Sequence, residues 1–129
     1  MIVLDTHAWV WWLAKPKKLG KKGARAIDKA NRIGISAISI WEVAAKVAMG
    51  KLRFDRPCDV WIDEALIDDA RIELLHLLPR ISIDAVRLSW PHQDPADRFI
   101  VATARAHDAI LITADQQMHD SGLVSCVWE

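Results

Sequence analysis

Four acidic residues, Asp5, Glu42, Asp97 and Asp115, each stand where a strand pattern ends or a helix pattern begins. In a β/α chain with parallel strands the helices run back antiparallel to them, so strand C-termini and helix N-termini share one edge of the sheet. All four carboxylates are therefore expected on that edge. Two unit charges about 4 Å apart repel by roughly 4 kcal/mol at an effective dielectric of about 20, so such a cluster calls for a cation. Oxygen ligands select Mg²⁺ or Mn²⁺ over softer metals, and magnesium keeps several waters when held by a few carboxylates and substrate phosphates. The chemistry indicated is phosphodiester hydrolysis by metal-activated water, with Asp5, Asp97 and Glu42 on the principal cation and Asp115 on a second cation or on the attacking water.

Each acid also has a purely structural use. Asp5 and Asp115 can cap the helices that follow them. Ser39 and Glu42 satisfy the S-x-x-E capping box, in which the glutamate returns to the cap residue's N–H. Asp94 followed by Pro95 reads as a cap and first-turn pair, which leaves Asp97 free for metal and gives Asp94 a supporting role. Arg98 has three uses open to it: a site carboxylate, a phosphate or an exposed salt bridge. The five histidines show no H-E-x-x-H or Cys–His spacing, and there is no Gly-rich phosphate loop and no G-x-S-x-G. Cys58 and Cys126 read as buried thiols.

The elements that must position these residues follow from periodicity and punctuation. Strands are expected at Ile2–Leu4, Ile33–Ser36, Ile72–Leu77, Ala109–Thr113 and Leu123–Trp128. Helices are expected at Ala8–Ala14, Gly20–Asn31, Ser39–Met49, from Pro57 to about Asp69, at Ser82–Leu88, from Asp94 to about His107, and from Asp115 to Asp120. Strands alternating with helices, with neither hairpin signal nor linker, give a single α/β/α domain over residues 1–129 around a parallel sheet of about five strands. The longest apolar stretch, Ala8 to Ala14, falls short of the roughly 18 residues of a bilayer span, and a cytoplasmic location with no membrane partner is expected.

A net charge of zero hides an asymmetry: Met1–Val60 holds 12 Lys and Arg against 5 Asp and Glu, and Trp61–Glu129 the reverse. Lys15, Lys17, Lys18, Lys21, Lys22 and Arg25 form the densest basic run, suited to an RNA backbone beside an acidic metal site and equally to a solvated helix face. Trp9, Trp11 and Trp12 crowd one helix. Trp9 and Trp12 share a face, so one face of that helix is expected to serve a homodimer or partner surface, unless the basic helix covers it.

The segments MIVLDTHAWVWWL, SAISIWEVAAKVAMGKL, HQDPADRFIVATA and ILITAD stand in an order that resembles PIN-domain ribonucleases, and within them the VapC-type toxins of bacterial toxin–antitoxin pairs. The resemblance covers nearly the whole chain. It implies a PIN-like parallel sheet between helices, a Mg²⁺ or Mn²⁺ cofactor, RNA endonuclease activity and neutralisation by a cognate VapB-type antitoxin. The family's acidic constellation falls on Asp5, Glu42, Asp97 and Asp115, with Thr6 and Thr113 flanking it as hydrogen-bonding support. Ala96, where relatives often carry a bulky residue, is the one departure. Two rival readings stay open from the residues themselves: a phosphatase using Asp5 as nucleophile, although His7 stands where a second acid is often needed, and a catalytically silent PIN-like binding module.

Overall fold

Runs such as Ile2–Leu4 and Ile33–Ser36 are apolar without alternation, as strands buried on both faces must be. In the computed structural model, which describes residues 1–129, both strands are buried along their whole length. Five strands, β1 (Ile2–Leu4), β2 (Ile33–Ser36), β3 (Ile72–Leu75), β4 (Ile110–Ile112) and β5 (Cys126–Val127), form one sheet in the order β3-β2-β1-β4-β5. Every pairing is parallel. Leu4 lies opposite Ile35 and Ile112, which brings the C-terminal ends of the three inner strands level.

Seven helices fill the crossovers: α1 (Thr6–Ala14), α2 (Lys21–Lys29), α3 (Ala37–Ala48), α4 (Cys58–Ile67), α5 (Pro79–Arg87), α6 (Pro95–Ala106) and α7 (Gln116–Asp120), with a 3-10 turn at Pro16–Lys18. Alternation of side chains divides the core between the two faces. Ile2, Leu4, Ile33, Ile35 and Ile112 pack with Trp9, Ile27, Val43 and Trp61 of α1 to α4. Val3 and Leu111 pack on the opposite face with Ile100, Val101 and Ala104 of α6 and Met118 of α7. Gly20 is required by close approach: a Cβ there would lie 2.1 Å from the Trp128 carbonyl oxygen. That contact seats the start of α2 against the C-terminal strand, where Gly23 N–H donates to the same oxygen at 2.9 Å. No helix is long and apolar enough to cross a membrane.

Several boundaries differ from the sequence reading, three of them for a clear physical reason. Helix α3 starts at Ala37, not Ser39, because Ser36 both ends β2 and caps the helix, its hydroxyl accepting from Ile38 N–H. Pro79 opens α5 at its first position, where its missing N–H costs nothing, rather than merely ending the preceding strand. Strand β5 is only two residues long, since the turn around Gly122, at φ +69°, takes up the residues before it.

The three tryptophans of α1 differ in burial. Trp9 is fully buried and packs at 5.4 Å from Trp61, while Trp11 and Trp12 are half-buried against the same core. Trp11 packs with His7, Trp128 and the Lys18 ammonium, and Trp11 and Trp12 each keep part of their surface exposed. The helix packs against β1, α3 and the Pro16–Lys18 turn, and its last residue, Ala14, is exposed. The exposed indole is Trp41 on α3, at 63%.

Candidate functional site

Asp5 is the first residue after β1 and the N-cap of α1; its Oδ1 accepts from Ala8 N–H at 2.9 Å. It is 2% exposed, and its other oxygen, Oδ2, is buried with no hydrogen-bond partner. His7 Nε2 lies 3.2 Å from that oxygen. The same nitrogen accepts from Ala114 N–H at 3.1 Å, so it carries no proton to offer Asp5. Burial, with a smaller push from the Lys46 ammonium, lowers the His7 pKa to about 4 and keeps the ring neutral. Burial raises Asp5 to about 8; the Thr113 hydroxyl and Ala8 N–H pull it partly back, and the charges of Asp97 and Asp115 push it further up. A carboxylate capped on one oxygen and unpaired on the other, with two acids beside it, lacks a positive charge.

The other acids converge on it. Asp94 caps α6 by accepting from Ala96 and Asp97 N–H, as the sequence suggests, and so places Asp97 in the first turn. Asp97 Oδ2 is 2.6 Å from His92 Nε2. Its pKa is raised, chiefly by burial and also by Asp94 and Glu42, against the lowering contact with His92. Asp115 follows β4, caps α7 by accepting from Gln117 N–H, and donates its own N–H to Thr113 Oγ1 at 3.0 Å. Ligand atoms of His92, Asp97 and Asp115 lie within 4.8 Å of one another.

Glu42 corrects the capping-box reading. Because α3 begins at Ala37, Ser39 is an interior, fully buried residue and Glu42 is a full turn from the helix start. Its carboxylate is held by the Thr6 hydroxyl, which also lies 3.0 Å from Ser39 Oγ. Thr6 is thus a support for Glu42, while Thr113 supports Asp5 and Asp115.

Arg98 pairs with no carboxylate. Its guanidinium donates to the carbonyls of Ala85, Val86, Leu88, Trp90 and His92, clamping the segment that carries His92. A single fork with five N–H donors suits a loop that turns its carbonyls inward. Among the basic residues, all six of Lys15, Lys17, Lys18, Lys21, Lys22 and Arg25 are exposed. Lys18 lies over Trp11, next to His7, and Lys22 lines a cleft with Ala114 and Gln116. The other four have no such link to the acids.

A PIN domain model matches residues 2–122. The chain belongs to the PIN domain family. Ribonuclease VapC22 of Mycobacterium tuberculosis is 31% identical over 119 residues, covering 91% of this chain and 88% of that protein. Among solved structures, VapBC2 from Rickettsia felis bound to a promoter DNA fragment superposes with a TM-score of 0.72 at 19% identity over all of both chains. DNA-bound VapBC from Salmonella typhimurium gives 0.71 at 15% identity over 98% of each chain. The five-stranded parallel sheet between helices is the fold they share with this PIN domain.

The donor set suits a hard divalent cation. The ligand atoms brought within 4.8 Å of one another are those of His92, Asp97 and Asp115; Asp5, with its buried unpaired oxygen, and Glu42 stand outside that group, and carboxylate oxygens are the donors a hard divalent cation takes. Sequence reasoning passed over three contributors to this PIN domain site. His92 lacked any metal spacing, His7 was noticed only as a missing acid, and Lys46 stands one turn after Glu42, an i, i+4 interval that carries it toward His7.

Proposed function

We propose that this PIN domain is a divalent-cation-dependent endoribonuclease acting as the toxin of a bacterial toxin–antitoxin pair, with Mg²⁺ or Mn²⁺ held by Asp5, Asp97 and Glu42. The observation that carries the reading is the buried, unpartnered Oδ2 of Asp5 facing two further acids. The likeness to a ribonuclease, 31% identical over 91% of the chain, supports RNA as the substrate. Likeness to chains from toxin–antitoxin complexes supports a VapB-type partner.

When bound, the cation would offset the acids' mutual repulsion, polarise a phosphodiester and lower the pKa of water. The chain's own groups do the rest. Asp5 releases its proton as the site loads, because the form held up to about pH 8 is the neutral acid. Thr6 aims Glu42, and His92 fixes Asp97 through Nε2. Asp115, anchored by Gln117 N–H on one oxygen, has the other free to orient the attacking water. Lys18 and Lys22 flank the acids and hold the RNA backbone on that side. In the inhibited complex, an Arg or Lys of the antitoxin fills the acid cluster in place of the cation.

Attack by water at phosphorus that breaks the P–O3′ bond, with the 3′-oxygen leaving as a hydroxyl, gives 5′-phosphate and 3′-hydroxyl ends. Cleavage of single-stranded RNA by the purified protein should therefore require Mg²⁺ or Mn²⁺, stop in EDTA and give those ends on product analysis. Undiminished cleavage in EDTA, or 2′,3′-cyclic phosphate ends, overturns the mechanism.

A further inference from the structure

Beside the acids lies a cleft of about 560 Å³ lined by Ser89, Trp90, His92, Gln93, Gln117 and Asp120 with Pro91 and Ser121. Its size falls within the roughly 300–1,000 Å³ typical of small-ligand pockets. Both walls are tied to site acids. On one, His92 contacts Asp97 and stacks on Trp90, ring centroids 4.5 Å apart and 29° between planes. On the other, Gln117 N–H holds Asp115, and Asp120 ends the same short helix.

The wall carrying the aromatic pair is tied down by Arg98. Arg98 takes the carbonyls of both Trp90 and His92, at 2.7 and 2.9 Å, together with three more from the same segment. A loop secured this heavily, ending in a tryptophan, a proline and a histidine, is prepared before any ligand arrives, which lowers the ordering cost of binding. Around the aromatic pair stand two glutamine amides, two hydroxyls and a carboxylate, groups that can read a base edge.

We propose that this cleft is a nucleobase subsite: it takes the unstacked base of the nucleotide next to the scissile phosphate, against Trp90 and His92, with its edge toward Gln93, Gln117 and Asp120. The proposal rests on the nuclease reading for the phosphate's position and goes beyond it by locating base selection. Stacking on an aromatic is worth about 1–3 kcal/mol per base and accepts any base, so selection must come from the polar groups. Asp120 offers only acceptors, which favours bases with an exocyclic amino group over uracil.

Two measurements test this. In EDTA, where no cleavage occurs, single-stranded tetraribonucleotides are titrated into ¹⁵N-labelled protein, the Trp90 indole N–H being identified by its loss in Trp90→Phe. Shifts should concentrate on that signal and on the Gln93 and Gln117 side-chain amides. In parallel, a random single-stranded RNA pool is cut with Mn²⁺ and the ends are sequenced. One position flanking the cut should disfavour uracil; the Gln93→Ala, Gln117→Ala double variant should reduce that bias at least fivefold, and Asp120→Asn should raise the share of uracil. Unchanged melting temperatures exclude a folding effect, and the bias is a ratio that general damage does not move. Shifts confined to other residues, or a bias that survives all variants, overturns the subsite while leaving the nuclease reading in place. Shifts at the cleft from a wild type that cuts no RNA support the subsite and overturn the nuclease.

Discussion

The two edges of the sheet treat charge in opposite ways. At the N-terminal edge Arg71 donates to both Asp69 oxygens and to the carbonyls of Ile27 and Ala30, and Arg32 meets Glu73. Asp69 is held down at about 2, chiefly by its hydrogen bonds from Arg71. At the C-terminal edge the acids gather, and no lysine or arginine forms a salt bridge with Asp5, Glu42, Asp97 or Asp115. Asp5 is pushed to about 8 where Asp69 falls to about 2. At the N-terminal edge arginines satisfy the carboxylates, whereas at the other edge Thr6, His92 and helix N–H groups meet them only in part and Asp5 keeps one buried oxygen without a partner. Perturbation by burial beside like charges, in a surface with a cleft, is the signature of a functional site.

The contrast is broken most strongly by removing charge at the unsatisfied edge. Asp5→Asn and Asp97→Asn should each lower RNA cleavage by at least about a hundredfold, the scale of losing one group that stabilises a transition state. The metal-free melting temperature should stay level or rise, because Asp97→Asn relieves repulsion and Asp5→Asn removes the penalty of burying an ionisable group. Variants that fail to fold would show these acids to be structural.

Arg71→Ala makes the opposite change at the satisfied edge. It strips two carbonyls and one carboxylate of their donors and should cost about 1–2 kcal/mol in chemical denaturation, with cleavage per folded molecule unchanged. The partly exposed ion pair itself adds little to that figure.

Metal-free stability against pH sharpens the comparison with a smaller effect. Between about pH 4 and 8 the folded protein keeps the Asp5 proton that the unfolded chain has released, so this group makes stability fall as pH rises. His7, lowered from 6.5 to about 4, works the other way, losing stability as pH falls through that window. Above pH 6.5 only Asp5 remains of the two. Denaturation midpoints in EDTA should therefore decline from pH 6.5 to 8 in the wild type and stay flatter in Asp5→Asn.

Much of this was legible in the residues. Asp5 and Asp115 could be placed because strand ends and caps have local signatures, and both prove to cap with one oxygen while the other is available. The parallel sheet followed from short strands alternating with helices, with no hairpin signal between them. What depended on chain segments far apart was not legible. Glu42 looked like a capping partner of Ser39, yet its partner is Thr6, 36 residues away. Arg98 looked like a phosphate or carboxylate ligand, and no local pattern says that five carbonyls will turn toward it. His92 became a neighbour of Asp97 only through that clamp. For the tryptophans, the three-residue spacing of Trp9 and Trp12 did not say how deeply each would sit: Trp9 is fully buried, while Trp11 and Trp12 pack on the same core and stay partly exposed.

The central claim is that Asp5, Glu42, Asp97 and Asp115 make one divalent-cation site, and calorimetric titration of Mn²⁺ into the wild type and Asp5→Asn at pH 6.5, 7.5 and 8.5 tests it most directly. The wild type should bind with an affinity rising about tenfold per pH unit and levelling off above pH 8, because the cation must displace the Asp5 proton. Asp5→Asn should bind at least about tenfold more weakly, with the steep pH dependence gone. A wild type that takes up no Mn²⁺, or one whose affinity matches that of Asp5→Asn at every pH, would contradict the account.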